Sequence, residues 1–390
     1  MERRVVQALL ERRTNRYRAG RDSTAGRPLV IGYLSSAIGL GHGARLLFDG
    51  FDSMGLRPSY LDVTALLPNL RSTLPLLDCP EDDGLGPVIL HINPPELPAI
   101  LDKLKLDIRS RHTVGVWAWE QPVLPRQWKR AAKFVNELWG STRFLQQMFA
   151  EQLPGTPSFL VPYPVALNGS APSTDNRAAT RPPLRFLAAF DPKSGLERKN
   201  PFGAIEAFQR AFPAATKARL TLQVSDRESM PRNAAFLDDP RIDLVDSQLS
   251  EGELDALFRE HDAFVSLHRS EGFGLSITRA LLNGLPAIFT DAFGARDFAD
   301  APLAFPVRHK PCTPSSGYTI YKPEYGNWAD PDIAQAVEHM RSVGGMESHR
   351  LKDMRRANAR WMDDRFGGAR FSQCVSATGM ASHLVWTSPQ

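Results

Sequence analysis

Short apolar runs alternate with amphipathic stretches through most of this chain. In the first half the apolar runs predict five strands, at 29–34, 59–63, 86–92, 113–119 and 137–142. Helical periodicity lies between them, for example in 95–105 and 125–135. A glycine-rich turn at 39–43 and a helix from Ala44 to about Gly55 are expected after the first strand. Strands that alternate with helices indicate a parallel sheet covered on both faces.

The same alternation restarts in the second half. Strands are predicted at 184–190, 218–224, 242–246, 261–267 and 286–291, and helices at 200–212, 250–260 and about 330–361. Ser250 and Glu253 have the spacing of a capping box at a helix start. The fold class that follows is α/β, with two facing doubly wound Rossmann-like domains and a cleft between them.

The predicted boundaries follow changes in composition. They are a basic N-terminal arm at 1–27, a first domain at 28–165, a linker at 166–183, a second domain at 184–365 and a tail at 366–390. The linker is assigned because the stretch 162–183 is rich in proline, serine and threonine. We expect the tail to pack back on the first domain.

Charge is concentrated in the arm. The formal net charge is +4, and residues 1–28 hold eight arginines against three acidic residues, so the rest of the chain is close to neutral. This distribution disfavours a broad nucleic-acid-binding face. Two interpretations of the arm stay open. It is either a solvated terminal helix, or an amphipathic helix that makes a peripheral contact with an anionic membrane.

Cysteine usage and hydropathy set the expected compartment. The three cysteines, Cys79, Cys312 and Cys374, are far apart and form no metal-binding spacing. No apolar run reaches the roughly 18 residues that a membrane span needs, and the arm is not a secretory signal. We therefore expect a cytoplasmic protein, with the inner face of the membrane as the alternative if the arm binds lipid.

The glycine turn of the first half offers one functional hypothesis. Gly39, Gly41 and Ala44 fit the G-x-G-x-x-G/A pattern, and Asp62 ends the next strand. In a dinucleotide-dependent oxidoreductase these residues would hold a pyrophosphate and a ribose. The gap from Leu34 to Gly39 is long for that motif, and the second half is left unexplained.

A cationic pair in the second half suggests an anion site. Arg198 and Lys199 precede a helix for which Asn200 is a suitable N-cap and Pro201 a suitable first residue. Two cations beside a helix N-terminus suit a diphosphate. The alternative is an ordinary surface pair.

The stretch SEGFGLSITRALLNGLPAIFTD, residues 270–291, joins a strand to a helix through a glycine-broken turn. Gly272 and Gly274 allow the backbone to approach a ligand, and the helix that follows directs its first N–H groups toward it. Glu271 can accept hydrogen bonds from sugar hydroxyls or balance positive charge. The alternative is that Glu271 only caps the helix.

At these residues, and in ERKNPFGAIEAF at 197–208, the chain resembles the nucleotide-sugar-dependent GT-B glycosyltransferases of retaining family 4, also called glycosyl transferases group 1. The resemblance spans roughly 28–365. It implies transfer from a nucleoside diphosphate sugar to a saccharide or lipid-linked saccharide, with retention of anomeric configuration. No metal or other cofactor is expected. The predicted donor-binding residues are Gly39, Gly41, Arg198, Lys199, Gly272, Phe273, Gly274, Leu275 and Arg279.

Two departures from the family pattern affect these expectations. The family usually has a second glutamate eight residues after the first, but Arg279 stands there and offers only donors. We expect it to pair with Glu271 or a phosphate. If it instead prevents nucleotide binding, the chain is a non-catalytic relative that binds a glycan or a partner enzyme.

The family's catalytic-side histidine is also missing from the end of the fourth strand. The candidates in its place are His91, at the end of the third strand, and Glu120. Trp117 and Trp119 suit sugar faces, although tryptophans at strand ends more often pack in a core. The predicted catalytic residues are therefore Glu271, His91 and Glu120.

Overall fold

A computed structural model describes residues 25–67, 70–106, 108–166, 183–213, 217–225, 227–229, 239–315 and 320–385. The basic arm lies almost entirely outside these residues, as does most of the predicted linker. The chain divides into two compact units. The first comprises Met1–Trp119, Val123–Leu167 and Phe366–Gln390, and the second comprises Glu120–Pro122 and Asn168–Arg365. The three residues of 120–122 therefore belong with the second half of the chain.

The first unit contains a six-stranded parallel sheet. Its strands are β1 (Leu29–Gly32), β2 (Ser59–Asp62), β3 (Val88–Leu90), β4 (Thr113–Val116), β5 (Glu137–Gly140) and β6 (Ser158–Leu160), in the order β2-β1-β3-β4-β5-β6. Its helices are α1 (Gly39–Ser53), α2 (Leu97–Leu104), α3 (Arg126–Ala131) and α4 (Arg143–Gln152). Short 3-10 helices cover Thr64–Leu66 and Ala132–Phe134.

The strands of the first unit are short apolar segments with both faces covered. All three residues of β3 are fully buried, as expected for a central parallel strand. The sequence pattern missed β6, because only four residues separate Pro157 from the polar and proline-rich segment that follows Val161. The tail contains α11 (Gly368–Ser376) and a 3-10 helix at Gly379–His383, and the Phe371 ring lies 5.4 Å from that of Phe51 on α1.

The predicted turn at 39–43 is wrong, because α1 already begins at Gly39. Gly41 faces the loop that precedes the helix, and a β-carbon there would overlap the carbonyl oxygens of Ser36 and Tyr33. The glycine pattern in this region therefore reflects the close packing of a helix against a loop.

The second unit contains a second six-stranded parallel sheet, in the order β12-β11-β10-β7-β8-β9. The strands are β7 (Leu184–Phe190), β8 (Ala218–Val224), β9 (Ile242–Asp246), β10 (Ala263–Ser266), β11 (Ala287–Thr290) and β12 (Ala304–Val307). The helices are α5 (Leu196–Lys199), α6 (Pro201–Ala211), α7 (Glu251–Arg259), α8 (Leu275–Leu282), α9 (Ile333–Gly344) and α10 (Ser348–Phe366). An antiparallel hairpin joins β13 (His309–Cys312) to β14 (Trp328–Pro331). Short 3-10 helices cover Pro192–Ser194, Arg227–Ser229, Phe293–Phe298 and Pro323–Tyr325.

Several predicted elements of the second unit are confirmed. β7, β8 and β9 have the predicted bounds, and the capping box of Ser250 and Glu253 opens α7. The edge strand β12 was missed because it contains Pro306, a residue that argues against a strand unless that strand lies at an edge. The predicted helix from about 330 is two helices, and Asp330 belongs to β14.

Each sheet has a switch point where the strand order reverses. In the first unit it lies between β1 and β3, and in the second between β7 and β10. Ligands of doubly wound proteins bind beyond the carboxyl ends of the strands at such points. The loops after these four strands are therefore where a site is expected.

Candidate functional site

The loops after β7 and β10 are held against each other at the switch point of the second unit. The amide of Arg269 donates to the carbonyl of Arg198 at 2.6 Å, and Asn200 Nδ2 donates to the carbonyl of Leu267 at 2.8 Å. Arg198 and Lys199 form the last turn of α5, which follows β7. Glu271 lies in the loop after β10. The two motifs that the sequence singled out thus meet at one edge of the sheet.

Asn200 connects the cations to the next helix. It adopts a left-handed conformation with φ of 49°, and its Oδ1 accepts a hydrogen bond from the amide of Gly203 at 3.3 Å. Pro201 follows as the first residue of α6. The predicted cap is confirmed, and it turns the chain sharply after Lys199.

Glu271 is the acceptor at the centre of this cluster. Its carboxylate forms an ion pair with Lys199, and its Oε2 lies 3.6 Å from Arg198 Nη1. Burial would raise the pKa of Glu271, but the charges of Lys199 and Arg198 outweigh burial and lower that pKa to about 2. Glu271 is therefore ionised at neutral pH and is more than a helix cap.

Glu120 lies in the second unit beside this cluster, whereas the sequence placed it in the first domain. Its Oε2 accepts a hydrogen bond from the Tyr321 hydroxyl at 3.1 Å, and its carbonyl accepts one from the Ser270 hydroxyl. Burial raises the pKa of Glu120, and the nearby Arg198 opposes that shift. The neighbouring Gln121 donates to the carbonyls of Lys322 and Gly326 at 2.9 and 2.8 Å, which fixes the segment locally.

Sequence reasoning missed two residues of the cluster, His268 and Tyr321. His268 is fully buried, and neither of its ring nitrogens has a hydrogen-bond partner among the described residues. Burial lowers the pKa of His268 to about 3, so the ring is neutral at pH 7. Its place at the end of β10 was a usable signal. No comparable sequence signal marks Tyr321, because its segment contains no recognisable motif.

The turn at 272–275 brings backbone to the site. Gly274 has φ of +104° and leads directly into α8, whose first N–H groups have no partner within the helix. Phe273 is 7% exposed, and its ring meets Phe298 edge-on at 5.4 Å. Phe273 therefore packs in the core, whereas Leu275 at the start of α8 is only half-buried.

Arg279 does not pair with Glu271, so that alternative is wrong, and its pairing with a phosphate stays a prediction. Its guanidinium contacts Glu251, and its Nη1 lies 3.3 Å from Asp255 Oδ1. Both acidic residues lie on α7, the helix beside α8. Arg279 therefore faces α7, where it joins two neighbouring helices.

His91, the other predicted catalytic residue, lies in the first unit. It is fully buried behind α1, with Gly43 close to its ring, and its Nε2 lies 2.7 Å from the Tyr163 hydroxyl. Burial lowers the pKa of His91 to about 4. In this structure His91 is a neutral interior residue without access to solvent.

The two tryptophans considered as sugar platforms are core residues. Trp117 is 1% exposed and meets Trp128 and Phe149 edge-on. Trp119 is 4% exposed, and its indole N–H donates to the carbonyl of Val123 at 3.1 Å. Neither ring face is available to a sugar.

The residues on which the oxidoreductase hypothesis rested have structural roles. Gly41 accommodates the loop before α1, and Gly39 is the exposed first residue of that helix. The Asp62 carboxylate accepts hydrogen bonds from the hydroxyls of Ser35 and Thr64, at 2.5 and 2.7 Å. Asp62 thus joins the loops after β1 and β2, and it needs no ribose to explain it.

Neither a metal centre nor a membrane span is seen in the part of the chain that the structure describes. Within those residues, no group of three or more histidine, cysteine, aspartate or glutamate side chains could hold a metal ion. None of the described helices is long and apolar enough to cross a bilayer.

Comparisons with solved structures define the fold. Anabaena HepE, in complex with UDP and glucose, matches with a TM-score of 0.59 and 11% identity over 90% of this chain and 98% of HepE. The lipopolysaccharide outer core galactosyltransferase WaaB matches with a TM-score of 0.55 and 11% identity over the same shares. S. aureus TarM matches with a TM-score of 0.53 and 11% identity over 73% of this chain. The match covers only 53% of TarM. The fold is GT-B, with two Rossmann-like domains, as predicted.

The family comparison matches one segment of the second unit. Residues 193–301 match the family described as "Glycosyl transferases group 1". This segment includes Arg198, Lys199 and Glu271, which are the centre of the cluster described above. A search of curated proteins found no significant relative.

Proposed function

We propose that this protein transfers a sugar from a nucleoside diphosphate sugar to a saccharide or lipid-linked saccharide acceptor, with retention of anomeric configuration. The observation that carries the proposal is the Lys199–Glu271 pair at the switch point of the second unit, beside the N-terminus of α8. A cation and a helix N-terminus suit a diphosphate, and a carboxylate suits sugar hydroxyls. The group 1 match over the same residues supports this assignment.

The chemistry asked of the protein is charge stabilisation. As the bond between the sugar and the diphosphate breaks, negative charge builds on the leaving oxygen. In this proposal, Lys199 and the first amides of α8 stabilise that charge. Glu271 is ionised at neutral pH, so it can accept from a sugar hydroxyl or oppose positive charge on the sugar. Retention follows if the acceptor attacks from the face that the diphosphate leaves. We propose that no metal is required.

The test is calorimetric titration of the full chain with UDP, GDP, ADP and TDP. UDP comes first, because the HepE and TarM structures contain it. Selective binding of one nucleotide supports the donor site and names the base. If none binds, the protein is instead a non-catalytic relative, and the arginine at 279, where the family usually has a glutamate, supports that outcome. Proton NMR of the product made with the matching donor sugar reports whether the anomeric configuration is retained. Activity measured with and without EDTA tests whether a metal is required.

We further propose a cytoplasmic protein that contacts an anionic membrane surface through the basic arm. The support is the sequence, with eight arginines in 1–28 and apolar residues among them. Sedimentation with vesicles that contain phosphatidylserine, compared with neutral vesicles, tests this contact. A chain that lacks 1–24 is the control, and equal binding of both chains would contradict the proposal.

A further inference from the structure

Each nitrogen of the Arg198 guanidinium donates a hydrogen bond to the protein. It is 3% exposed, and its Nε and Nη2 donate to the carbonyl of Ser194 at 3.2 and 3.0 Å. Its Nη1 donates to the carbonyl of Ser270 at 2.7 Å. One guanidinium therefore ties the loop after β7 to the loop after β10, through all three of its nitrogens.

The flat face of this guanidinium is covered. The Tyr321 ring lies over it, with 5.5 Å from the ring centroid to Cζ, and Tyr321 is itself only 4% exposed. The Tyr321 hydroxyl donates to Glu120, which adds negative charge near Arg198. Arg198, Tyr321 and the half-buried Glu120 thus form a layer beside Glu271, and the first two are buried. A ligand could reach Arg198 only if this layer came apart.

Lys199 differs from its neighbour in each of these respects. Its side chain is 19% exposed, and its ammonium contacts Glu271. A lysine ammonium is a compact charge on a flexible stem, so it can change partners at little cost in geometry. The planar guanidinium of Arg198 has no such freedom, because its N–H groups already donate to the carbonyls of Ser194 and Ser270.

We propose that Arg198 is a positioning residue that does not touch the donor, and that it holds Glu271 while Lys199, the diphosphate-binding cation of the proposed function, changes partners. The proposal rests on the proposed function and deepens it. Arg198 holds Glu271 and the Ser270 carbonyl in place, and Tyr321 keeps Arg198 there. When Lys199 turns to the phosphates, Glu271 keeps Arg198 as a neighbour and gains an oxygen that can accept from a sugar hydroxyl. Donor binding and the release of Glu271 are then one event.

The test separates affinity from turnover in four variants of the full chain. Lys199→Gln removes the ammonium that is proposed to change partners. Arg198→Lys keeps the positive charge but loses the planar guanidinium and its hydrogen bonds. Tyr321→Phe removes the hydrogen bond to Glu120. Arg111→Lys is the matched control, because Arg111 is 1% exposed and donates to the Gly86 carbonyl in the first unit. Each variant is titrated with the nucleoside diphosphate that the wild type binds. Its hydrolysis of the corresponding nucleotide sugar is measured at saturating donor.

We expect Lys199→Gln to weaken nucleotide binding at least tenfold. Arg198→Lys should leave the dissociation constant within about twofold and slow hydrolysis about tenfold or more. Tyr321→Phe should show the same split with a smaller loss of rate. Arg111→Lys should change neither quantity, even if it lowers the melting temperature. General destabilisation would not produce this split between affinity and rate.

Other outcomes overturn the inference in distinguishable ways. If Arg198→Lys weakens binding as much as Lys199→Gln, Arg198 touches the donor, and the proposed function stands alone. If Arg198→Lys alters neither the affinity nor the rate of hydrolysis, Arg198 is not a positioning residue and the proposal is wrong. If Arg198→Lys does not fold, Tyr321→Phe decides, and an unchanged rate overturns the proposal. If the wild type binds no nucleoside diphosphate, the proposed function fails and this inference fails with it.

Discussion

Replacement of Glu271 by glutamine should remove a pH-dependent part of the stability of the second unit. The pKa of Glu271 is lowered from 4.5 to about 2 in the folded protein, chiefly by Lys199 and Arg198 acting against burial. A group whose folded pKa is depressed stabilises the fold above its unfolded pKa, and this stabilisation is lost as pH falls toward the folded pKa. A shift of this size corresponds to about 3 kcal/mol at pH 7, at 1.36 kcal/mol per unit.

The side chain is 13% exposed, so solvent screening reduces this figure only modestly. About 2 kcal/mol of it should disappear between pH 5 and pH 3. The assay is urea unfolding of the wild type and Glu271→Gln at several pH values, followed through the unfolding transition of the second unit. The free-energy difference between the two proteins should shrink by about 2 kcal/mol over that interval.

The control for this experiment is Glu206→Gln. Glu206 forms an exposed pair with Arg210 on α6, so its difference from the wild type should stay small at every pH. A Glu271→Gln difference that is constant from pH 6 to pH 3 would refute the reasoning. It would mean that the two cations do not lower the pKa of this carboxyl in solution.

Further predictions concern the frame around the site. Arg279→Glu should destabilise the second unit by about 1 kcal/mol, because it places a third carboxylate beside the two on α7, and unfolding at high salt should reduce the loss. Gly41→Ala should lower the free energy of unfolding of the first unit by about 1–3 kcal/mol in urea, because the added methyl group overlaps backbone atoms. Gly155→Ala is the control and should leave that free energy unchanged, because its methyl group meets nothing within 4 Å. Asn200→Ala should cost about 1 kcal/mol through the lost cap of α6, and a calorimetric melt that is unchanged would contradict this.

The centre of the site was predictable because local signals and topology agree there. Arg198 and Lys199 precede a recognisable cap, and Glu271 lies in a glycine turn between a strand and a helix. Parallel strands bring such loops to one edge of a sheet, so the pattern placed these residues near one another. The two doubly wound domains followed from the same alternation of strands and helices, and the resemblance implied the GT-B fold.

The rest of the site depends on contacts between distant segments. Tyr321 reaches Arg198 across more than a hundred residues of chain, and no periodicity reports such a meeting. Arg279 was assigned to Glu271 because both lie in one motif, but it meets two carboxylates on a neighbouring helix instead. His91 ends the strand where a site residue was expected, yet burial places it in the interior. Position along the chain predicts the loop on which a residue lies, but not the direction of its side chain.

The two switch points differ in a way that bears on their tasks. At the switch point of the second unit, charged groups of both signs are gathered in a buried layer, with Lys199 and Glu271 at its accessible side. At the switch point of the first unit, the interior group is a neutral histidine bonded to a tyrosine hydroxyl. Charged clusters are costly to bury unless each member is paired, and Lys199, Arg198 and Glu271 are paired with one another here. In the proposed function, a diphosphate would replace Glu271 as the partner of Lys199.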